Sequence, residues 1–315
     1  MSTLLIIGGT GFFGKSILDA YSRGLLSTWS IEKIIVISRN ANKLTSTNPE
    51  LINDNVELLD VDITSVDTLP FADYVIHAAA SSDASRYTSQ SDIEKKNIIQ
   101  GTLNYCRLAP KFHTDSKIVF CSSGAVYGYQ PKDVQYLTED MAFGDIESLD
   151  EVKKSYAYAK RDAEFAIQEL GQAGLNVSIA RCFSFVGKYL PRDQHFAIGN
   201  FIADGLSGRD INVKADRRVY RSYMYADDLV KWLMTLANNS SPKCPIYNVG
   251  SDKEVEIRVL ANIVGEVFNV GIQSSESNVT CVDRYIPSVK KIKAKLGLKL
   301  NLDLKKTIYL SIKDD

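Results

Sequence analysis

Seven residues near the N-terminus, Gly8-Gly9-Thr10-Gly11-Phe12-Phe13-Gly14, leave few architectures open to this chain. They follow the apolar run Thr3–Ile7, whose continuous hydrophobicity suits a strand buried on both faces of a parallel sheet. They open an apolar-periodic stretch, Gly14–Ser22, that predicts a helix. Glycines at 8, 11 and 14 permit a tight turn, close approach of backbone to a pyrophosphate, and close packing of helix on strand. The helix start adds unpaired N–H groups and the positive end of its dipole. Strand, glycine turn and helix in this order predict a dinucleotide-binding unit. Gly8, Thr10, Gly11, Phe12, Phe13 and Gly14 would surround the phosphates.

The same rhythm continues. Buried strands are predicted at Lys33–Ser38, Val56–Leu59, Tyr74–His77, Lys117–Ser122 and Asn176–Ala180, and helices near Ile93–Leu108 and Ser155–Leu170. Strands alternating with helices point to an α/β fold, a Rossmann-type doubly wound parallel sheet. After Arg181 the rhythm breaks into loops around Gly187–Gln194, a helix near Ile198–Leu206, another at Tyr223–Ala237 and a strand at Ile246–Val249. The expected division is a dinucleotide-binding domain of residues 1–183 plus about 216–250. A smaller C-terminal substrate-binding lobe would use about 184–215 plus 251–315.

Composition removes several function classes. With 315 residues, 45% hydrophobic, the chain can bury a large core, and a net charge of -1 lacks the basic excess of a nucleic-acid binder. The lysines between Lys290 and Lys306 alternate with apolar residues and read as a solvated helix face. Cys106, Cys121, Cys182, Cys244 and Cys281 form no CxxC pair, which predicts reduced thiols and a cytoplasmic setting. Three histidines without ligand spacing predict no metal site. No signal segment or bilayer-length apolar run is apparent, so a soluble protein without a membrane partner is expected.

Tyr156-Ala-Tyr-Ala-Lys160 places a phenol and an ammonium four residues apart, on one face of the predicted helix. A phenol titrates near 10, and a neighbouring ammonium would lower that value and make it a usable acid or base. Ser123, in Cys121-Ser-Ser-Gly-Ala-Val-Tyr-Gly128, ends a predicted strand and would open onto the cofactor crevice. At the end of the second strand, where an acid would hold the ribose hydroxyl of NAD, stand Ser38 and Arg39. A hydroxyl and a guanidinium suit the 2′-phosphate of NADP. Arg39 stacked on adenine, or lying in solvent, is the alternative, and NAD stays possible.

These elements resemble the extended branch of the short-chain dehydrogenase/reductase superfamily, the NAD(P)-dependent nucleotide-sugar epimerases, dehydratases and reductases. The GxxGxxG spacing, Asp62-Ile63, His77-Ala78-Ala79-Ala80, and Asn97 with Gly101-Thr102 match its cofactor elements in order. The resemblance implies Ser123, Tyr156 and Lys160 as the catalytic set, with Tyr156 and Lys160 also touching the cofactor. Arg181-Cys-Phe-Ser-Phe-Val-Gly-Lys188 is similar to the stretch lining the nicotinamide, which implies Phe183 on the cofactor and Ser184 on the substrate. Ser184 and Lys188 replace that stretch's asparagine and proline. By the same match Asn200 and Arg221 would reach a nucleotide sugar's diphosphate. Arg284 is a further phosphate candidate, and Val213 falls in the segment that cradles the base.

The related 4,6-dehydratases carry an Asp-Glu pair where this chain has Gly124-Ala125, so water elimination is not expected. The expected activity is NADPH-dependent reduction of the 4-keto group of a dTDP- or CDP-linked 4-keto-6-deoxyhexose, with O-antigen sugar synthesis as a setting. The alternatives are a 4-epimerase holding NAD tightly and, more remotely, a non-catalytic NADP-sensing regulator. The resemblance also implies a homodimer through the helices near 93–108 and 155–170.

Overall fold

Side-chain alternation along one short strand sets the layering. In β1 (Ser2–Ile7), Leu4 and Ile6 point into one apolar core and Leu5 and Ile7 into another, all fully buried. A strand with hydrophobic residues on both faces must lie inside a sandwich of helices. The computed structural model describes residues 2–80, 84–194, 196–274 and 282–313, apart from the side chains of 84–91.

The chain continues through α1 (Phe12–Ser22), β2 (Ile31–Ser38), α2 (Leu44–Thr47), β3 (Val56–Asp60), β4 (Tyr74–His77) and α3 (Ala84–Phe112). Next come β5 (Lys117–Ser123), α4 (Glu151–Gln172), β6 (Val177–Cys182), β7 (Phe185–Val186), α5 (Ala197–Leu206), β8 (Ile211–Val213), β9 (Arg218–Ser222) and β10 (Met224–Tyr225). The last elements are α6 (Ala226–Asn238), β11 (Ile246–Val249), β12 (Glu254–Glu256), α7 (Ile257–Phe268), β13 (Ile272–Ser274), β14 (Val282–Arg284), α8 (Lys290–Leu296) and α9 (Leu304–Ser311).

Seven strands form one sheet in the order β11-β6-β5-β4-β1-β2-β3, every adjacent pair parallel. This is the doubly wound α/β fold. Ile17 and Leu18 of α1 and Trp232 and Leu233 of α6 pack on one face. Tyr105 and Leu108 of α3 and Ala159 and Ala163 of α4 pack on the other. A separate cluster, including Phe201, Ile211, Leu260 and Ile308, organises α5, α7 and α9 with small sheets β12-β9-β14 and β13-β8.

Several expected boundaries shift. The helix expected at Tyr223–Ala237 begins only at Ala226, because Met224 and Tyr225 pair in parallel with Phe185 and Val186. β9 falls inside 216–250 yet pairs with β12 and β14 rather than with the large sheet. The lysine-rich stretch is not one helix. Gly297, with φ of 65°, ends α8, and α9 starts seven residues later at Leu304. Several of its lysines have partners on the chain: Lys291 donates to the Ile246 carbonyl, and Lys293 and Lys305 pair with Asp252 and Glu266. Cys106, Cys121, Cys182 and Cys244 are free thiols, and Cys281 lies outside the described residues. Among the described residues no helix is long and apolar enough to cross a membrane.

Candidate active site

Strand order reverses between β1 and β4, and at their carboxyl ends opens a cleft of about 1690 Å³. The glycines of the first turn reach it by different routes. Gly8 has φ of +88°, and a Cβ there would stand 2.6 Å from Ala79 Cα, so the turn lies hard against the end of β4. A Cβ on Gly14 would stand 2.1 Å from the Gly9 carbonyl oxygen. Gly14 therefore seats α1 on the turn and is not part of the cleft wall. Gly11 has no such neighbour, since the nearest atom to an added Cβ would be Gly8 O at 3.9 Å. That leaves room above the first turn of α1, whose N-terminus has no side-chain cap. The space and the uncapped N–H groups fit a pyrophosphate.

The remaining cofactor candidates surround the same space. Thr10, Phe12, Phe13, Ile63, Ala78, Ala79, Ala80, Asn97 and Phe183 all line it. Asp62 lines it too, with Oδ1 accepting from the Thr64 amide at 2.9 Å and from its hydroxyl at 2.8 Å. Ser38 Oγ lies 3.0 Å from Thr10 Oγ1, joining the end of β2 to the glycine turn. Arg39 beside it is exposed and borders the cleft.

At the other end, β5 delivers Ser123 and α4 delivers Tyr156 and Lys160 one turn apart. The start of α4 is set by Asp150, whose carboxylate accepts the Lys153 amide at 2.9 Å. Ser123 Oγ accepts the Ala125 amide at 3.1 Å and is hydrogen-bonded to the Tyr156 phenol. Lys160, 2% exposed, donates to the Cys121 carbonyl at 2.8 Å, with Nζ 5.8 Å from the centre of the Tyr156 ring. Burial lowers the Lys160 pKa. The expectation that Lys160 lowers the Tyr156 pKa is not met: burial pushes the phenol up to about 12, and the Ser123 hydrogen bond only moderates the rise.

A buried network fixes this end. Glu164, four residues beyond Lys160, accepts from Ser122 Oγ at 2.6 Å and from Arg181 Nη2 at 2.8 Å. Arg181 Nη1 donates to the Tyr127 hydroxyl at 3.0 Å, which donates to Asn248 Oδ1 at 2.8 Å. One polar chain thus ties α4 to β5, β6 and β11.

The substrate candidates divide. Ser184, Asn200, Arg221 and Arg284 line the cleft. Asn200 Nδ2 donates to the Gln194 carbonyl at 2.8 Å. Arg221 forms a two-pronged pair with Asp283, Nη1 to Oδ1 and Nη2 to Oδ2, each 3.0 Å. Arg284 pairs with Glu254 and lies over the Tyr220 ring at 4.6 Å. Both guanidiniums are thus carboxylate-bound, and an incoming diphosphate must share or displace those partners. Val213 does not reach the cleft. It is 2% exposed and belongs to the lobe's apolar core, while Asn212, on the opposite face of β8, and Lys214, just after the strand, line the wall. Period-two alternation in β8 could have signalled this. Sequence reasoning also passed over Asp283, Arg192 and Tyr285, which line the cleft without carrying a motif.

Residues 4–250 match the model of the NAD dependent epimerase/dehydratase family. The chain belongs to that family. Among curated members, UDP-glucuronic acid decarboxylase 5 of Arabidopsis thaliana is 28% identical over 319 residues, covering 99% of this chain and 88% of that protein. UDP-glucuronic acid decarboxylase 1 of Xenopus tropicalis is 26% identical, covering 97% and 71%. Among solved structures, the dTDP-glucose 4,6-dehydratase DesIV of Streptomyces venezuelae, with NAD and TYD bound, superposes with a TM-score of 0.80 at 21% identity, covering 99% and 97%. The UDP-glucose 4-epimerase of Thermotoga maritima with UDP-glucose gives 0.77 at 21% identity, also covering 99% and 97%. Decarboxylation, dehydration and epimerisation all occur among these relatives, so family membership alone leaves the reaction open.

Proposed function

We propose that this family member reduces the 4-keto group of a dTDP- or CDP-linked 4-keto-6-deoxyhexose with NADPH. The observation that carries the reading is the makeup of the reaction end: Ser123, Tyr156 and Lys160 converge there, while the neighbouring positions 124 and 125 hold glycine and alanine. Such a site can exchange one proton with a sugar oxygen, and neither Gly124 nor Ala125 supplies a carboxyl group for elimination.

The glycine turn, Asp62, Asn97, Phe183 and Lys160 would hold the dinucleotide, and Ser38 with Arg39 would receive the 2′-phosphate. When bound, the dinucleotide supplies a hydride to C4. Tyr156, protonated at neutral pH and raised further above its ordinary pKa by burial, gives its proton to the C4 oxygen, so a carbonyl becomes a hydroxyl. Ser123 orients that oxygen, and Lys160 contributes positive charge beside the phenol. Asn200, Arg221 and Arg284 would take the diphosphate.

DesIV was solved with NAD bound, so the preference for NADP rests on Arg39. The purified protein should consume NADPH faster than NADH when given dTDP- or CDP-4-keto-6-deoxyglucose, followed at the reduced-nicotinamide absorbance. Isomerised sugar nucleotide with no reductant consumed, from protein that purifies with NAD, would replace this reading with a 4-epimerase.

A further inference from the structure

Position 124 is glycine, and the reason lies across the cleft. An added Cβ there would stand 2.5 Å from the Tyr285 phenolic oxygen and 2.7 Å from the Phe183 ring. The rings of Phe183 and Tyr285 pack against each other with centroids 4.6 Å apart and planes tilted by 35°. Tyr285 follows β14, on the lobe, so the lobe inserts a side chain into the space that a residue at 124 would otherwise fill. The Tyr285 phenol is hydrogen-bonded to Ser123, the hydroxyl that also meets Tyr156. Two phenols, one from the catalytic helix and one from the lobe, therefore converge on a single serine at the reaction end of the cleft.

We infer that Tyr285 is a third hydroxyl of the reaction centre, which binds an oxygen of the sugar beside the reacting carbon and, through Ser123, positions the group that Tyr156 protonates. Burial holds the phenol above its ordinary pKa, so at neutral pH it acts as a neutral donor and not as a base. Its attachment to the lobe ties sugar placement to the elements carrying Arg221 and Arg284. The inference rests on the reading of this cleft as a sugar-nucleotide site.

The test compares the native protein with Tyr285→Phe, Gly124→Ala and the double variant, each checked for native circular dichroism. Calorimetry measures affinity for dTDP, dTDP-4-keto-6-deoxyglucose, UDP and UDP-glucose, and turnover is followed with NADPH. Tyr285→Phe should lower kcat by about tenfold, the effect of one lost hydrogen bond, with dTDP and NADPH affinities within about twofold of native. Gly124→Ala should show a comparable loss, because its methyl displaces the phenol, and the double variant should be no worse than the worse single one. Losses that multiply, or a Tyr285→Phe enzyme with native kcat, overturn the inference. If the native protein consumes no NADPH, the reductase reading fails while this one is still decided by binding. The extra affinity of a sugar nucleotide over its free nucleoside diphosphate should then fall about fivefold or more in Tyr285→Phe. An unchanged increment, or no increment in the native protein for either nucleotide, overturns it.

Discussion

Replacing Glu164 with alanine attacks the joint that holds the catalytic helix. The Glu164 side chain is fully buried, and Arg181, its partner, is 5% exposed. The carboxylate accepts from Arg181 Nε at 3.0 Å, from Arg181 Nη2 at 2.8 Å and from Ser122 at 2.6 Å. Truncation leaves a guanidinium in the interior without its counter-charge and strands a buried hydroxyl. Breaking a buried pair from one side typically costs about 3–5 kcal/mol. The orphaned Ser122 hydroxyl belongs to the same loss and is not added again. Against a total stability of about 5–15 kcal/mol, that is a large share. Urea unfolding followed by tryptophan fluorescence should show the midpoint falling, and Tm should drop by about 2–4 °C per kcal/mol. The sharper arm is Glu164→Leu combined with Arg181→Met, which removes both charges and should recover at least the roughly 3–5 kcal/mol lost in Glu164→Ala. A Glu164→Ala protein within about 1 kcal/mol of native, or a double variant less stable than the single one, would refute the reasoning.

Tyr156→Phe should abolish turnover and leave dinucleotide affinity largely intact; because the buried phenol is pushed up to about 12, native kcat for ketone reduction should stay flat through neutrality. A fall in kcat with rising pH centred near neutrality would assign the proton to another group. His77 is fully buried and burial drops its pKa to about 3, so it stays neutral in the fold while the unfolded chain gains a proton below 6.5. Its contribution is present above 6.5 and lost as pH falls, so native protein should lose about 2 kcal/mol more than His77→Phe between pH 6.5 and 5 by urea titration. Gly14→Ala places a methyl 2.1 Å from the Gly9 carbonyl oxygen, and should destabilise by about 1–3 kcal/mol and weaken dinucleotide binding in a fluorescence titration. Arg39→Ala should raise the KM for NADPH and leave that for NADH near native; equal effects on both would remove the 2′-phosphate assignment.

What the sequence determined is local and periodic. The apolar run ending in Gly8-Gly9-Thr10-Gly11 specifies a buried strand, a tight turn and a helix start, because each is dictated by neighbours in the chain. The i, i+4 spacing of Tyr156 and Lys160 likewise follows from helix geometry and needs no partner to be read. Tertiary structure decided what depends on contacts between distant residues. Burial, supplied by packing, drives the Tyr156 pKa upward where chain spacing alone pointed downward. Arg221 is held by Asp283, sixty-two residues away, and Val213 turns into the lobe's core because β8 presents its other face to the cleft. Tyr285 carries no motif, and only the approach of the lobe to β5 brings it over Gly124. Periodicity records which face of an element is apolar; it holds no record of which remote side chain fills the space in front of a glycine.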